Sequence, residues 1–327
     1  MKHSSVVKTV HTCMKADVPI LIHGKPGVGK SALVKEIAKS YKMELRDIRA
    51  ALLDPVDVMG VPVPDRETKV TNWFTPELWP TSGKGILFLD ELPQATTAVQ
   101  KALTQLVLDR TIGTSYRLPK GWRIIAAGNY TTDRAGAGEL LSQFKNRFVH
   151  VDYEVDLMDW VKWALGAGIK TEIIAFIRFR PELLHDMDVS QNAFPTPRSW
   201  EFASDILQAN PDKEIEYDLL KGTVGEGAAA ELTAFLKIFR TLPDPDHILL
   251  DPMSADVPTD PATLYALTGA LAARSSEVTF ERLVQYGKRI LPEYNVLMIR
   301  DSVNQCPAVT KTKAFINWAS DNHSVII

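Results

Sequence analysis

Apolar residues in the first 152 positions fall into short unbroken runs set between stretches of helical periodicity; beyond Asp152 only helical periodicity remains. The runs ILI at 20–22, ILFL at 86–89 and IIAA at 124–127 have the length and composition of parallel strands covered on both faces. Residues 43–48 alternate well enough for a further strand, and 148–152 read as another. Between them, residues 2–15 pattern as an amphipathic helix. Leu33, Val34, Ile37 and Ala38 mark a second helix, and Val99, Leu103, Leu106 and Val107 a third. The proline-rich segment 51–85 is expected to be an elaborated loop, and 110–122, with Gly113-Thr114-Ser115 at its centre, a hairpin.

In the second half, LMDWVKWAL and EIIAFIRF, the latter stopped by Pro181, predict two helices. Another starts at FPTPRSW, where Thr196 suits the N-cap and Pro197 the first helical position, with Trp200, Phe202, Ala203 and Ile206 as its expected buried face. A helix over 228–239 follows. The proline- and aspartate-rich segment 242–261 is the best candidate for a linker, and four more helical patterns lead to the end of the chain.

The first apolar run opens into HGKPGVGKS, which satisfies G-x-x-x-x-G-K-[ST] in strand, loop, helix context. The nucleotide-binding loop would comprise Gly24, Lys25, Pro26, Gly27, Val28, Gly29, Lys30, Ser31 and Ala32. Its glycines let backbone amides approach a polyphosphate, Lys30 reaches the terminal phosphates, and the Ser31 hydroxyl is placed to ligate Mg2+. The ILFL run delivers Asp90 and Glu91 at its carboxyl end, where ligands bind in open parallel sheets. Alone, an Asp-Glu pair is an ordinary solvated strand end; beside a phosphate loop, Asp90 becomes a second metal ligand and Glu91 the group that polarises a water. Asn129 at the tip of the IIAA strand could bond both phosphate and water. Arg147 closes a helix, a position that also suits the helix dipole. Arg198 in the first turn of a helix opposes the dipole, so an anionic ligand is one reason for it.

Composition narrows the rest. With 45% hydrophobic and 24% charged residues, the chain is of ordinary globular make-up and long enough at 327 residues for two or three packed units. A net charge of −3 supplies no general basic field for nucleic acid or anionic membrane. Cys13 and Cys306 have no metal-ligand or C-x-x-C spacing. No run of about 18 apolar residues occurs. These features lead us to expect a cytoplasmic protein that does not insert into membranes.

The phosphate loop, the Asp-Glu strand end, the Asn strand tip, the Arg-Phe helix end and the Pro-Arg helix start, in that order, resemble an AAA+ ATPase. GILFLDELPQA, the segment near DPVDVMGVP, the hairpin before the Asn strand and FPTPRSWE make the likeness closer to the MoxR branch, related to dynein-type modules. It extends over roughly residues 15–235. The resemblance implies an α/β fold: a P-loop AAA+ core (1–155) with a parallel five-stranded sheet and flanking helices, an all-helical lid (156–240) and a helical C-terminal extension (241–327). It further implies ATP and Mg2+ as ligands, Lys30 and Ser31 as Walker A, Asp90 and Glu91 as Walker B, and Asn129 as sensor 1. Arg147 would be the arginine finger acting on a neighbouring subunit, with Arg134 in reserve because QFKNRF lacks the aspartate that many relatives carry there. Arg198 would be sensor 2. A homo-oligomeric ring, usually a hexamer, is implied, with a von Willebrand A-domain protein as partner and a protein client that is remodelled or activated. Two other readings remain: a nucleic-acid motor or loader, with Lys69, Arg110 and Arg117 lining a pore, and a nucleotide-gated scaffold with little turnover.

Overall fold

The computed structural model describes residues 1–130 and 138–322, which divide into two compact units, Met1–Asp156 and Leu157–Ile327. The first unit is built on a five-stranded sheet of β1 (Ile20–His23), β2 (Glu44–Arg49), β5 (Lys84–Asp90), β8 (Gly121–Gly128) and β9 (Val149–Asp152). All its pairings are parallel and the order is β2-β5-β8-β1-β9. Residues 61–74 contribute β3 (Val61–Asp65) and β4 (Val70–Phe74), and the short pair β6 (Thr111–Ile112) and β7 (Tyr116–Arg117) forms a second hairpin.

The apolar runs are unbroken because both faces of the sheet are covered. On one face Ile20, Ile22, Ile86, Phe88, Ile125 and Ala127 pack against α1 (His3–Ala16) and α2 (Lys30–Ser40). On the other, Leu21, Leu87, Leu89 and Ala126 join α3 (Pro55–Met59), α4 (Thr97–Asp109) and α5 (Ser142–Lys145), with Trp79 and Trp122 filling the space between. Each tryptophan satisfies its indole N–H on a backbone carbonyl, Trp79 on Val58 at 2.9 Å and Trp122 on Ser82 at 2.8 Å. The insert 51–85 is thereby pinned to the core. It is more ordered than its prolines suggest, carrying α3 and the β3–β4 hairpin where a loop is expected. Pro62 and Pro64 fit there because a two-stranded ribbon has free edges.

The second unit is helical: α6 (Leu157–Ala167), α7 (Thr171–Phe179), α8 (Pro197–Gln208), α9 (Lys213–Val224), α10 (Glu226–Arg240), α11 (Pro245–Leu250), α12 (Pro261–Ala272), α13 (Phe280–Gly287), α14 (Pro292–Gln305) and α15 (Lys313–Asp321). Thr196 caps α8 and exchanges bonds with Ser199 in a capping box. The buried stripe of this helix is Trp200, Ala203, Ser204 and Leu207; Phe202 is 53% exposed and Ile206 only half-buried. The expected face is therefore corrected: positions 200, 203, 204 and 207 share one side of a 3.6-residue period, and 202 lies off it. Segment 242–261 is not a linker. Ile248 and Leu249 are buried in the C-terminal core, while Arg282, Arg289 and Tyr286 donate to the carbonyls of Leu249, Pro252 and Asp256. The prolines and aspartates form caps and turns on a wrapped segment; Asp244 and Asp260 accept from the first turns of α11 and α12.

Candidate functional site

The chain leaves β1 for the far edge of the sheet at β2 and later returns to place β8 beside β1, which makes the β1–β8 gap the topological switch point. The glycine-rich loop opens from β1 at this gap. Gly29 lies at φ 93° as the N-cap of α2, a conformation that L side chains avoid, so the turn that aims Lys30 requires glycine. Lys30 is 9% exposed, and its ammonium donates to Gly24 O at 2.6 Å, Lys25 O at 3.1 Å and Asn129 Oδ1 at 2.8 Å. Oxygen dipoles compensate a buried cation that would otherwise be expensive to desolvate.

Asn129 follows Gly128, and a Cβ built on Gly128 would stand 2.3 Å from Pro93 Cδ. That close approach lets the end of β8 run directly beside the turn that follows β5. One residue into α2, the Ser31 hydroxyl donates to Asp90 Oδ2 at 2.6 Å. Glu91, exposed, sits in the left-handed region at φ 55° and ψ 33°, with its amide donating to Asp90 Oδ1 at 2.9 Å.

Direct hydrogen bonds thus pair Lys30 with Asn129 and Ser31 with Asp90, with Glu91 adjoining. Arg147 is not among them: it is half-buried on another side of the unit, where a guanidinium N–H donates to Thr104 O of α4 at 2.9 Å. Arg198 is exposed in the first turn of α8, in the second unit. Arg134 lies outside the described residues. Arg110 is not available to line a pore, because its guanidinium donates to Asp17, Pro119 O and Trp122 O and anchors the β6–β7 hairpin.

The residues present fit a magnesium ion. Ser31 Oγ and Asp90 Oδ2 form a compact pair of hard oxygen donors, and no group of three or more His, Cys, Asp or Glu among the described residues forms an all-protein metal cage. Such a sparse set suits Mg2+, which takes its other ligands from water and phosphates.

Sequence reasoning passed over four further residues on β1, on β9 and just beyond β8. His23 Nε2 lies 2.8 Å from His150 Nδ1, Tyr130 stacks on His23 at 5.8 Å, and the Tyr130 hydroxyl donates to Asp152 Oδ1 at 2.8 Å. Burial, then the nearby His150 ring, lowers the His23 pKa from its usual 6.5; Asp152 opposes this and Lys30 adds to it. Contiguity of His23 with Gly24 was the only available signal in the sequence.

Residues 19–150 match the model of an ATPase family associated with various cellular activities (AAA). A midasin from Giardia intestinalis is 31% identical over 170 residues, which is 49% of this chain and 4% of the length of that protein. Among solved structures, NtrX from Brucella abortus in complex with ADP aligns over 99% of this chain and 68% of its own, at 14% identity and a TM-score of 0.45. A putative ATPase from Cytophaga hutchinsonii aligns over 92% and 80%, at 14% identity and a TM-score of 0.37. A point mutant of RuvB from Thermotoga maritima aligns over 87% and 88%, at 16% identity and a TM-score of 0.41. With scores below 0.5, these structural likenesses carry no functional argument. The family match covers the unit in which the phosphate loop, the acidic strand end and Asn129 converge, and it agrees with the midasin likeness. Over residues 19–150, the chain is thus similar to the ATPase family associated with various cellular activities.

Proposed function

We propose that this chain hydrolyses ATP to ADP and phosphate, and that it does so in a homo-oligomeric ring, a hexamer in the simplest case, that remodels or activates a protein client. The observation that carries this reading is the convergence of Lys30 on Asn129 and of Ser31 on Asp90 at the β1–β8 switch point. The amides of residues 24–32 and the start of α2 bind the phosphates, and Lys30 compensates their charge. Ser31 and Asp90 hold Mg2+, which neutralises the charge on the phosphate oxygens when bound. Glu91 accepts a hydrogen bond from the attacking water and turns its lone pair toward phosphorus; Asn129 helps orient that water. Arg147 serves as the arginine finger of the neighbouring site, and Arg198 is the lid arginine. Residues 156–240 are the proposed lid, 241–327 a helical extension, and a von Willebrand A-domain protein the proposed partner.

The test is the ATPase rate per subunit as a function of protein concentration, with mass measured with and without ATP, for the wild type, Glu91→Gln and Arg147→Ala. A shared site predicts a rate that rises with assembly, ATP binding without turnover in Glu91→Gln, and a loss of about 10³-fold or more in Arg147→Ala. Parental turnover in Glu91→Gln would refute the mechanism. A concentration-independent rate, untouched by Arg147→Ala, would refute the shared site.

A further inference from the structure

The proposed hydrolysis leaves a set of titratable and aromatic side chains at the carboxyl ends of β1, β8 and β9 without a task. His23 is the last residue of β1 and directly precedes Gly24. In the β1–β9 pairing, His23 stands opposite Asp152 and Leu21 opposite His150, so the two histidines are diagonal neighbours on one face of the sheet. Their rings are 9° from parallel, with Nε2 of His23 2.8 Å from Nδ1 of His150.

The proton positions in this pair follow from what lies beyond it. His150 Nε2 is 2.8 Å from Lys145 O, and a carbonyl only accepts, so Nε2 carries the hydrogen. In the neutral ring Nδ1 is then the acceptor, and His23 Nε2–H must be the donor to it. The result is a directed chain from the start of the phosphate loop, through His23 and His150, to the carbonyl of the last residue of α5. Arg147 lies two residues further on, with its own N–H bonded to Phe144 O in that same helical end. At the other end of the chain, Gly24 N–H donates to Gly128 O at 3.3 Å, and Tyr130, which stacks on His23, adjoins Asn129. The rings therefore connect the two elements that hold phosphate to the helix end that carries Arg147.

We propose that His23 and His150 are positioning residues for the ATPase reaction, coupling the phosphate loop of one subunit to the placement of the arginine it offers to the next. This rests on the trans role of Arg147 proposed above. Neither imidazole reaches Lys30 or Asn129 by a hydrogen bond among those described, so their action on the reaction runs through backbone: His23 through Gly24, and His150 through Lys145 O. A loop that turns to engage phosphate turns His23 with it. The directional bond to His150 then shifts the end of α5, and the neighbouring site senses the nucleotide state of this one.

A double-mutant cycle on the full-length chain tests the coupling. His150→Phe keeps an aromatic ring at an exposed strand position and removes both bonds, whereas His150→Gln supplies one acceptor and one donor at similar spacing. Outer-shell partners that orient metal ligands typically cost ten- to a hundredfold when removed, and on the low end of that scale His150→Phe should lower kcat by about tenfold. Affinity for a fluorescent ATP analogue should stay unchanged. In an Arg147→Ala background the same substitution should cost nothing further, because residues acting as a unit are not additive. His150→Gln should recover most of the rate. His23→Phe run through the same cycle breaks the chain at its other ring and stands in if the first variant does not fold. Losses that multiply in the double variant, a parallel loss of nucleotide affinity, or wild-type kcat in both phenylalanine variants would overturn the coupling while leaving the ATPase reading intact. Absence of turnover by the wild type in every assembled state would instead overturn that reading, and the coupling with it.

Discussion

Glu91 is held at φ 55°, where a residue with a Cβ is strained by roughly 1–2 kcal/mol. The strain has a visible cause: Asp90 turns its carboxylate toward both Ser31 and the Glu91 amide, and the chain must reverse at once into the turn Leu92–Gln94. Pro93 in that turn also abuts Gly128. A residue that enters the left-handed region more readily should relax the site at the expense of the reaction. Glu91→Asn is therefore expected to stabilise the first unit by a part of that roughly 1–2 kcal/mol, since asparagine is enriched in that conformation, while abolishing ATP turnover. Hydrogen exchange in β5 and β8 reads the stability of this unit separately from that of the second. Lower protection in the variant would show that Glu91 is not strained by its backbone.

At the scale of elements, the site depends on how closely the end of β8 runs beside the turn after β5. Gly128 has no Cβ and Pro93 fills the space one would occupy, at 2.3 Å. Gly128→Ala must push the two apart. Overpacking of this kind costs about 1–3 kcal/mol, and a displacement of about 1 Å at a catalytic group can cost a hundredfold in rate. The expected signature is a fall in kcat larger than the loss of stability explains, together with a weakened Lys30–Asn129 contact visible as a shifted lysine ammonium resonance. An alanine variant with wild-type kcat would mean that the register of β8 against the turn is not critical. The same scale shows why the insert 51–85 reads poorly. Prolines at 55, 62, 64, 76 and 80 suggest a loop by composition, yet Asp54 and Asp57 form a capping box around α3, and Trp79 fixes the far end.

At the scale of the whole molecule, each unit has its own core, and the second contains the most buried ion pair among the described residues. Arg178 of α7 and Asp301 of α14, 7% and 2% exposed, form a two-pronged salt bridge whose Nη2 to Oδ1 distance is 2.6 Å. The pair joins a helix on the near side of residue 240 to one well beyond it, and α12 packs on both. Removing one partner leaves a buried charge uncompensated, so Asp301→Ala should destabilise the second unit by about 3–5 kcal/mol. Combining Arg178→Met with Asp301→Leu should restore most of that loss. The measurement is hydrogen exchange in α7 and α14; protection unchanged in Asp301→Ala would contradict a structural role for the pair.

The phosphate loop, the acidic pair, Asn129 and the buried strands are legible in the chain itself, because each is a contiguous pattern dictated by local chemistry: glycine where φ is positive, apolar runs where both sheet faces are covered, carboxylates where a strand ends. The helical character of the second half is legible for the same reason, since periodicity is local. What packs against what is not. The Lys30–Asn129 bond spans 99 residues and the His23–His150 bond 127, and no spacing rule links such positions. Segment 242–261 looks like a linker until Arg282, Tyr286 and Arg289 are seen bonding its carbonyls. Phe202, apolar yet 53% exposed, shows the same limit on a single helix. Which of several apolar positions is buried depends on the neighbour that arrives, and only the assembled sheet and helices decide that. Local sequence thus determines which chemical groups this protein possesses and the elements that present them. Tertiary packing, by closing contacts between residues a hundred positions apart, determines which of those groups meet.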